Sequence, residues 1–231
     1  MNYDFPIEVV RSLKSKSAAI EIDKGIVKVT VPQNLSDYRV DELVKKRTIW
    51  IKKQLKIEAE TPSLRPKEYV NGESFSYLGR NYRLKCVDDE TRDVKLKHGY
   101  LTVHLSKALK ANEKEYFIKQ SLKDWYQARA LEKLKEKTKR YSSIIGVTPQ
   151  SVNIKEYKAR WGSCSSKGDI SFNWRIIISP HHIVDYIVVH ELCHLVEYNH
   201  GNKYWKQVAS VIPNYTECRN WLKENGKYLR V

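Results

Sequence analysis

The spacing of hydrophobic positions changes along the chain, from strand-like segments in the first half to a helical repeat in the second. Residues 18–22 and 26–31 flank a short turn that ends at Gly25, and this arrangement predicts a β-hairpin. Within residues 36–58, apolar positions recur every three or four residues behind a serine that can cap a helix. That segment is therefore expected to form an amphipathic helix.

Two further strand pairs are expected after a linker. Residues 61–66 contain two prolines and separate the helix from the strands that follow. The strands are expected at residues 74–78, 81–87, 93–96 and 100–105, with turns at Gly79 and Gly99. Because each strand follows its neighbour after a short turn, the pattern predicts a meander.

The repeat becomes helical at about Glu113 and continues to Gly146. Strands are expected at residues 152–157 and 170–178, and the last 50 residues are expected to be helical. This change of period predicts an α+β fold with two parts. Residues 1–110 form a β-rich region with one helix, and residues 111–231 form a second domain.

Composition limits the class of protein. With 41% hydrophobic residues the chain can build a core, so wholesale disorder is excluded. The 42 Lys and Arg residues against 27 Asp and Glu give a net charge of +15. Such an excess is compatible with an anionic partner, whether nucleic acid, a membrane surface or an acidic protein. The basic residues are spread over both halves, which argues against a detached nucleic-acid-binding arm.

The cysteines and the hydropathy pattern bear on location. Four cysteines are present, none in a C-x-x-C pair, so a reducing compartment is expected. The N-terminus has no basic segment followed by an apolar one. The longest aliphatic runs are too short to cross a bilayer. These features predict a soluble cytoplasmic protein without a membrane partner, and they leave the oligomeric state open.

The candidate chemistry lies in His190-Glu191-Leu192-Cys193-His194, an H-E-x-x-H motif. Ser179 can cap the helix that contains it, and Pro180 suits the first helical position. The helix is expected to extend over about 19 residues. Because His190 and His194 are four residues apart, both imidazoles project from one face and can bind one zinc ion. Glu191 flanks them, where a carboxylate can hold water without being a ligand.

This helix is apolar on nearly every side, which is typical of an element in the centre of a domain. Two histidines and a glutamate inside it are costly unless they are paired or bound to metal. The alternative interpretation is a pair of hydrogen-bonded core histidines beside a salt-bridged glutamate. The capped, apolar context favours the metal site.

A third ligand is required, and the pattern alone leaves Glu197 and His200 in competition. Glu197 shares the helical face of the two histidines. His200 reaches the metal only if the helix ends first, and Asn199 and Gly201 beside it tolerate the left-handed conformation that ends helices. Imidazole is the commoner third ligand after a helix break, which favours His200.

The sequence resembles the YgjP-like metallopeptidase family, which is related to SprT-like and WLM zinc proteases. The motifs that carry the resemblance are Arg160-Trp161-Gly162-Ser163-Cys164, Ser171-Phe172-Asn173-Trp174-Arg175, and Tyr186 to His194 with His200 and Trp205. The family pattern H-E-x-x-H-x5-H implies His190, His194 and His200 as ligands of one Zn²⁺ ion. It also implies Glu191 as the general base of a peptidase that acts on proteins or peptides.

The resemblance further implies that residues 111–231 are zincin-like, with the metal helix packed under a small twisted sheet. The strand at residues 170–178 would then border the cleft, where an edge strand can pair with an extended peptide. An oxyanion donor is also required. The candidates are Arg160, Asn173, His181, His182 and Tyr204.

Two other functions remain open. The charge of +15 supports a nucleic-acid-associated protein, either a DNA-linked protease or a module whose metal site is not catalytic. The zinc chemistry alone also permits a non-peptide amidase. Several side chains are assigned to structural roles instead: Cys164 and Cys193 as small buried hydrophobes, and Trp50, Trp125, Trp205 and Trp221 as core residues.

Overall fold

The computed structural model describes residues 3–13, 15, 17–23, 25–60, 66–89, 91 and 93–231. The chain forms two compact units, residues 1–65 and 66–231. The change of period had predicted the division near residue 110 instead. The difference arises because the strands before residue 110 share a hydrophobic core with the helices after it. Of the expected linker, residues 61–65 lie outside the described residues.

The first unit is a three-stranded sheet with one helix. Strands β1 (Ile7–Ser12), β2 (Ala19–Asp23) and β3 (Ile26–Pro32) lie in the order β1-β3-β2, and helix α1 spans Asp37–Glu60. The antiparallel pairing of β2 with β3 confirms the predicted hairpin. Alternate valines of β3 and one face of α1 build the core, namely Val27, Val29, Val31, Val40, Val44 and Ile51. Trp50 is 41% exposed, so its assignment to the core was wrong.

The second unit opens with a four-stranded sheet, formed by β4 (Ser74–Tyr77), β5 (Arg80–Asp88), β6 (Val94–Lys97) and β7 (Tyr100–Leu105). The predicted strands are present, but the meander was wrong. The order is β4-β5-β7-β6, because β5 pairs with β7 in parallel and leaves β6 at the edge. Turn geometry predicts each hairpin, whereas the pairing of β5 with β7 depends on contacts that are not local.

Helix α2 (Ala111–Ile145) is the long helix predicted from the helical spacing of apolar residues between Glu113 and Gly146. It ends at Gly146, whose φ of 78° is the left-handed conformation that glycine adopts without strain. Its buried face includes Leu122, Trp125 and Leu134. Trp125 is therefore a core residue, as predicted.

A second small sheet lies beyond α2. It consists of β8 (Ser151–Lys155), β9 (Gly162–Cys164) and β10 (Asp169–Asn173), in the order β8-β10-β9. The strand expected at residues 170–178 ends at Asn173, and Trp174–Ile178 forms a 3-10 helix. Since β10 is the central strand, it offers no free edge to a peptide, and that expectation was wrong. The edge strand nearest α3 is β9, which packs against that helix.

Three helices complete the unit: α3 (His181–Cys193), α4 (Asn202–Val211) and α5 (Tyr215–Asn225). The described residues thus form an α+β fold with small sheets and five α-helices, as the pattern of elements predicted. None of these helices is long and apolar enough to cross a membrane.

Candidate metal centre

Helix α3 places the H-E-x-x-H motif at its C-terminal end. The helix is buried along most of its length, and Val188, Val189 and Leu192 have no exposed surface. It begins at His181 with Pro180 at the N-cap, one residue later than predicted. The hydroxyl of Ser179 does not cap the helix, because it donates instead to the carbonyl oxygen of Ile176 at 2.6 Å.

The end of α3 brings the third histidine to the first two. The helix ends at Cys193, several residues before the predicted end, and turns of the backbone follow at residues 194–196. The chain then reverses before α4 begins at Asn202. As a result, Nε2 of His200 lies 3.2 Å from Nε2 of His190. Candidate ligand atoms of His190, His194 and His200 all lie within 4.8 Å of one another.

This spacing fits one metal ion. Two nitrogens bound to zinc at 2.0–2.1 Å in a tetrahedral arrangement are about 3.3 Å apart, which matches the distance between His190 and His200. Groups of three or more His, Cys, Asp or Glu side chains can hold a metal ion when their ligand atoms lie close together. Among the described residues, His190, His194 and His200 form such a group. Glu197, the competing third ligand, does not belong to the group.

Hydrogen bonds orient the histidines. Nδ1 of His194 lies 3.2 Å from the carbonyl oxygen of Glu197, so a proton on Nδ1 leaves the Nε2 lone pair free for a metal. The hydroxyl of Tyr204 donates to the carbonyl oxygen of His190 at 2.9 Å. The Tyr204 ring also stacks on His194, with ring centroids 4.7 Å apart. Tyr204 therefore holds both histidines of the motif.

An aromatic stack supports His200 from the other side. The Trp205 ring stacks on His200 at 5.5 Å and on Tyr215 at 5.0 Å. The guanidinium of Arg219 lies 5.3 Å from the Trp205 ring centroid. Trp205 had been assigned to the core, and it is a partly buried residue packed against the core that also contacts the histidine cluster.

Burial favours the neutral, metal-binding form of His190 and His194. Burial, reinforced by His194 and His200, lowers the pKa of His190 to about 3. Burial also lowers the pKa of His194. Nδ1 of His190 is a buried atom without a hydrogen-bond partner among the described residues. Since only neutral imidazole binds a metal, His190 and His194 can bind a cation near neutral pH.

Glu191 is buried beside the cluster. Its side chain is only 4% exposed, and burial raises its pKa to about 8, an effect that Arg160 partly opposes. Gly162 of β9 forms the adjacent wall. A Cβ added at Gly162 would lie 2.7 Å from both Cγ and Cδ of Glu191. Only glycine therefore allows β9 to approach the carboxylate this closely.

A cleft of about 340 Å³ opens on Glu191 and His190. Its apolar part includes Trp161, Ile187 and Leu222. Its polar walls carry three cationic side chains, contributed by Arg160, Arg219 and Lys223.

The five oxyanion candidates have different surroundings. Asn173 is buried, and its amide donates to the carbonyl oxygens of Tyr157 and Arg160. Tyr204 is committed to the carbonyl of His190. His181 and His182 are exposed at the opposite end of α3, about 12–13 Å along the helix axis from His190. Arg160 alone of the five lines the cleft.

The cysteines stand apart from this cluster. Cys193 is fully buried in the core, and burial raises the pKa of its thiol to about 11. Cys164 is half-buried in β9, and burial likewise raises its pKa. Neither belongs to the group that could hold an ion, which agrees with their interpretation as small hydrophobes.

Three residues were missed as site residues by sequence reasoning. The sequence places Gly162 in a family motif without a role of its own and offers Tyr204 only as an oxyanion donor. It gives no signal for Arg219. Their roles depend on which strand lies beside α3 and on where α4 and α5 pack. A glycine within a short strand was the one local signal, since it marks close approach of another element.

Comparison with known proteins identifies the family. A family model described as "YgjP-like, metallopeptidase domain" matches residues 16–225. Among solved structures, the metallopeptidase zymogen of Pyrococcus abyssi abylysin is 23% identical, with a TM-score of 0.36, over 39% of this chain and 93% of that chain. No match was found among curated proteins. Because the family model covers nearly the whole sequence, the chain belongs to the YgjP-like metallopeptidase family.

Proposed function

We propose that the protein is a zinc-dependent peptidase in which His190, His194 and His200 hold one Zn²⁺ ion and Glu191 is the general base. The observation that carries the proposal is the convergence of the three imidazoles, with Nε2 atoms of His190 and His200 3.2 Å apart beside a buried carboxylate. Membership of a metallopeptidase family supports the reaction class.

The donor set favours zinc and a catalytic role. Neutral imidazoles suit zinc, and three protein ligands leave one position open, as in catalytic zinc sites. When bound, zinc supplies a Lewis acid that polarises the scissile carbonyl and acidifies water. The exposed side of His200 leaves the cluster accessible from solvent.

Glu191 is placed for proton transfer. A general base works best when its pKa lies near the working pH, and burial raises that of Glu191 to about 8. A nearby cation lowers the pKa of a carboxyl group, so Glu191 ionises when the site carries a metal. It then accepts a proton from water and donates it to the leaving amine. Gly162 fixes its position by close contact.

The other parts of the site follow from the elements around it. The packing of α2 against α3 and of α3 against β9 supports a zincin-like arrangement for residues 111–231. β9 is an edge strand and can pair with an extended peptide. Arg160 is the remaining candidate for stabilising the oxyanion, because Asn173 and Tyr204 are already engaged.

The proposal is tested by metal content and peptide hydrolysis together. Purified protein should bind one zinc per chain and cleave members of a quenched fluorescent peptide library. His194→Ala should lose the metal, whereas His182→Ala, which removes an exposed histidine from the same helix, should keep it. Glu191→Gln should keep zinc and lose hydrolysis. Full zinc occupancy in His194→Ala, or full activity in Glu191→Gln, would contradict the assignment.

A further inference from the structure

The cleft beside Glu191 carries more positive charge than the proposed reaction requires. Arg160, Arg219 and Lys223 all line it, together with His190 and Glu191. Even with Glu191 fully ionised, three cations against one carboxylate leave a net charge of +2 on the cleft walls. A concave site lined by one sign of charge attracts the opposite charge.

None of these three cations forms an ion pair within 4 Å of a carboxylate among the described residues, although Arg160 acts on Glu191 at longer range. The ion pairs of the described part of the second unit involve other cations, such as Arg175 with Glu156 and Lys137 with Asp185. The guanidinium of Arg160 lies 5.5 Å from the ring centroid of Tyr157. That of Arg219 lies 5.3 Å from the Trp205 ring. Aromatic faces orient guanidinium groups without neutralising them, so both charges remain available.

The shape of the cleft suits a side chain with an apolar stem and an anionic end. Ile187, Leu222 and Trp161 supply apolar surface. Arg219 and Lys223 are four residues apart on α5 and therefore project from one face of that helix. With a volume of about 340 Å³, the cleft can admit one large side chain.

We propose that this cleft is a specificity subsite for an acidic side chain of the peptide substrate, bound by Arg219 and Lys223, while Arg160 serves the oxyanion. The inference rests on the proposed peptidase function, because it places the substrate chain across Glu191. Glutamate fits better than aspartate, since its longer stem covers the apolar surface before the carboxylate reaches the cations. The guanidinium of Arg219 can bind a carboxylate through paired N–H groups.

The test compares pairs of peptides. The two members of a pair differ only in having Glu or its neutral isostere Gln at one position, and each pair tests a different position around the cleaved bond. At the position that occupies the cleft, Glu should raise kcat/KM about 10- to 100-fold over Gln, as expected for charge-assisted hydrogen bonds. Lys223→Gln should reduce this ratio several-fold. The double variant Arg219→Glu/Lys223→Glu should reverse the preference towards a Lys peptide. Equal hydrolysis of Glu and Gln peptides at every position by the wild-type protein would overturn the proposal.

Matched variants keep charge and folding effects separate. Lys135→Gln removes the same charge from an exposed position on α2 outside the cleft, and it should leave the Glu to Gln ratio unchanged. If the double variant fails to fold, as judged by circular dichroism, Lys223→Glu alone carries the test, because its side chain is exposed. An unchanged ratio in Lys223→Glu would contradict a role for that lysine.

Binding distinguishes failure of the subsite from failure of the peptidase assignment. Fluorescence anisotropy with the Glu191→Gln variant measures the affinity of labelled Glu and Gln peptides without turnover. Tighter binding of the Glu peptide, lost in Lys223→Glu, supports the subsite even if no peptide is cleaved. If a single-stranded oligonucleotide instead binds in a manner that depends on Lys223 and the Glu peptide does not, the cleft serves nucleic acid and the proposal is wrong.

Discussion

The contact between Gly162 and Glu191 predicts a large effect of a single methyl group. In Gly162→Ala, the new Cβ would lie 2.7 Å from Cγ and Cδ of Glu191 and nearer still to Oε1. Ordinary contact begins near 3.4 Å, so Cγ and Cδ must move by about 0.7 Å and Oε1 by more. Glu191 is 4% exposed, so most of its surface is already packed against neighbouring atoms.

A displacement of this size is costly for catalysis. Misplacing a catalytic group by about 1 Å can reduce the rate 100-fold, which corresponds to about 2.7 kcal/mol in the activation barrier. Overpacking should lower the free energy of unfolding by about 1–3 kcal/mol. The histidines are not among the nearest atoms, so zinc affinity should change little. The assay is kcat/KM on a cleaved peptide, with zinc affinity measured by competition with a chelating dye.

Two comparisons make the prediction specific. Gly201→Ala adds the same methyl group next to His200, but no described atom beyond the two adjacent residues lies within 4 Å of that Cβ, so activity should be retained. Glu191→Ala removes Cγ, Cδ and Oε1 and with them the clash, so adding Gly162→Ala to it should not lower the free energy of unfolding further. Full activity of Gly162→Ala, or a loss of zinc that parallels the loss of activity, would refute the reasoning.

Three further predictions concern the support of the site. Tyr204→Phe removes the hydrogen bond to the carbonyl oxygen of His190 and should lower the free energy of unfolding by about 1 kcal/mol and zinc affinity about 10- to 100-fold, as measured by urea denaturation and chelator competition. Unchanged zinc affinity would contradict its positioning role. Lys137→Ala leaves Asp185 without its partner at 2.6 Å and should cost about 3 kcal/mol in urea denaturation, whereas a cost near zero would show that the pair is solvated. In metal-free protein, the raised pKa of Glu191 means that between pH 6.5 and 8 the folded state retains a proton that the unfolded chain has released. The free energy of unfolding should therefore fall by about 2 kcal/mol as the pH rises through this range. Glu191→Gln should abolish that slope, and a slope that persists in this variant would assign it to another group.

Local patterns predicted the part of the site that lies within one helix. The spacing of His190 and His194 places both rings on one face whatever surrounds the helix. The long helix α2 and its end at Gly146 also follow from local signals, namely a helical repeat and a glycine that tolerates positive φ. The structure brings the ring nitrogens of His190, His194 and His200 together. That these residues bind zinc remains a prediction.

The rest depended on contacts distant in sequence. His200 reaches His190 because α3 ends at Cys193, and no residue there signals the end strongly. The central position of β10 follows from its parallel pairing with β8, which a strand pattern does not reveal. The wall that Gly162 forms against Glu191 requires both the edge position of β9 and its packing on α3. The division of the chain differed for the same reason, since the strands before residue 110 share their core with α2 and α3.

The identity of the ligands is the central claim, and X-ray absorption spectroscopy of the zinc-loaded full-length protein tests it most directly. The account predicts three nitrogen scatterers with imidazole character at about 2.0–2.1 Å and one further oxygen or nitrogen scatterer. In His200→Ala one imidazole contribution should disappear. A sulfur scatterer near 2.3 Å, or an unchanged spectrum in His200→Ala, would contradict the account.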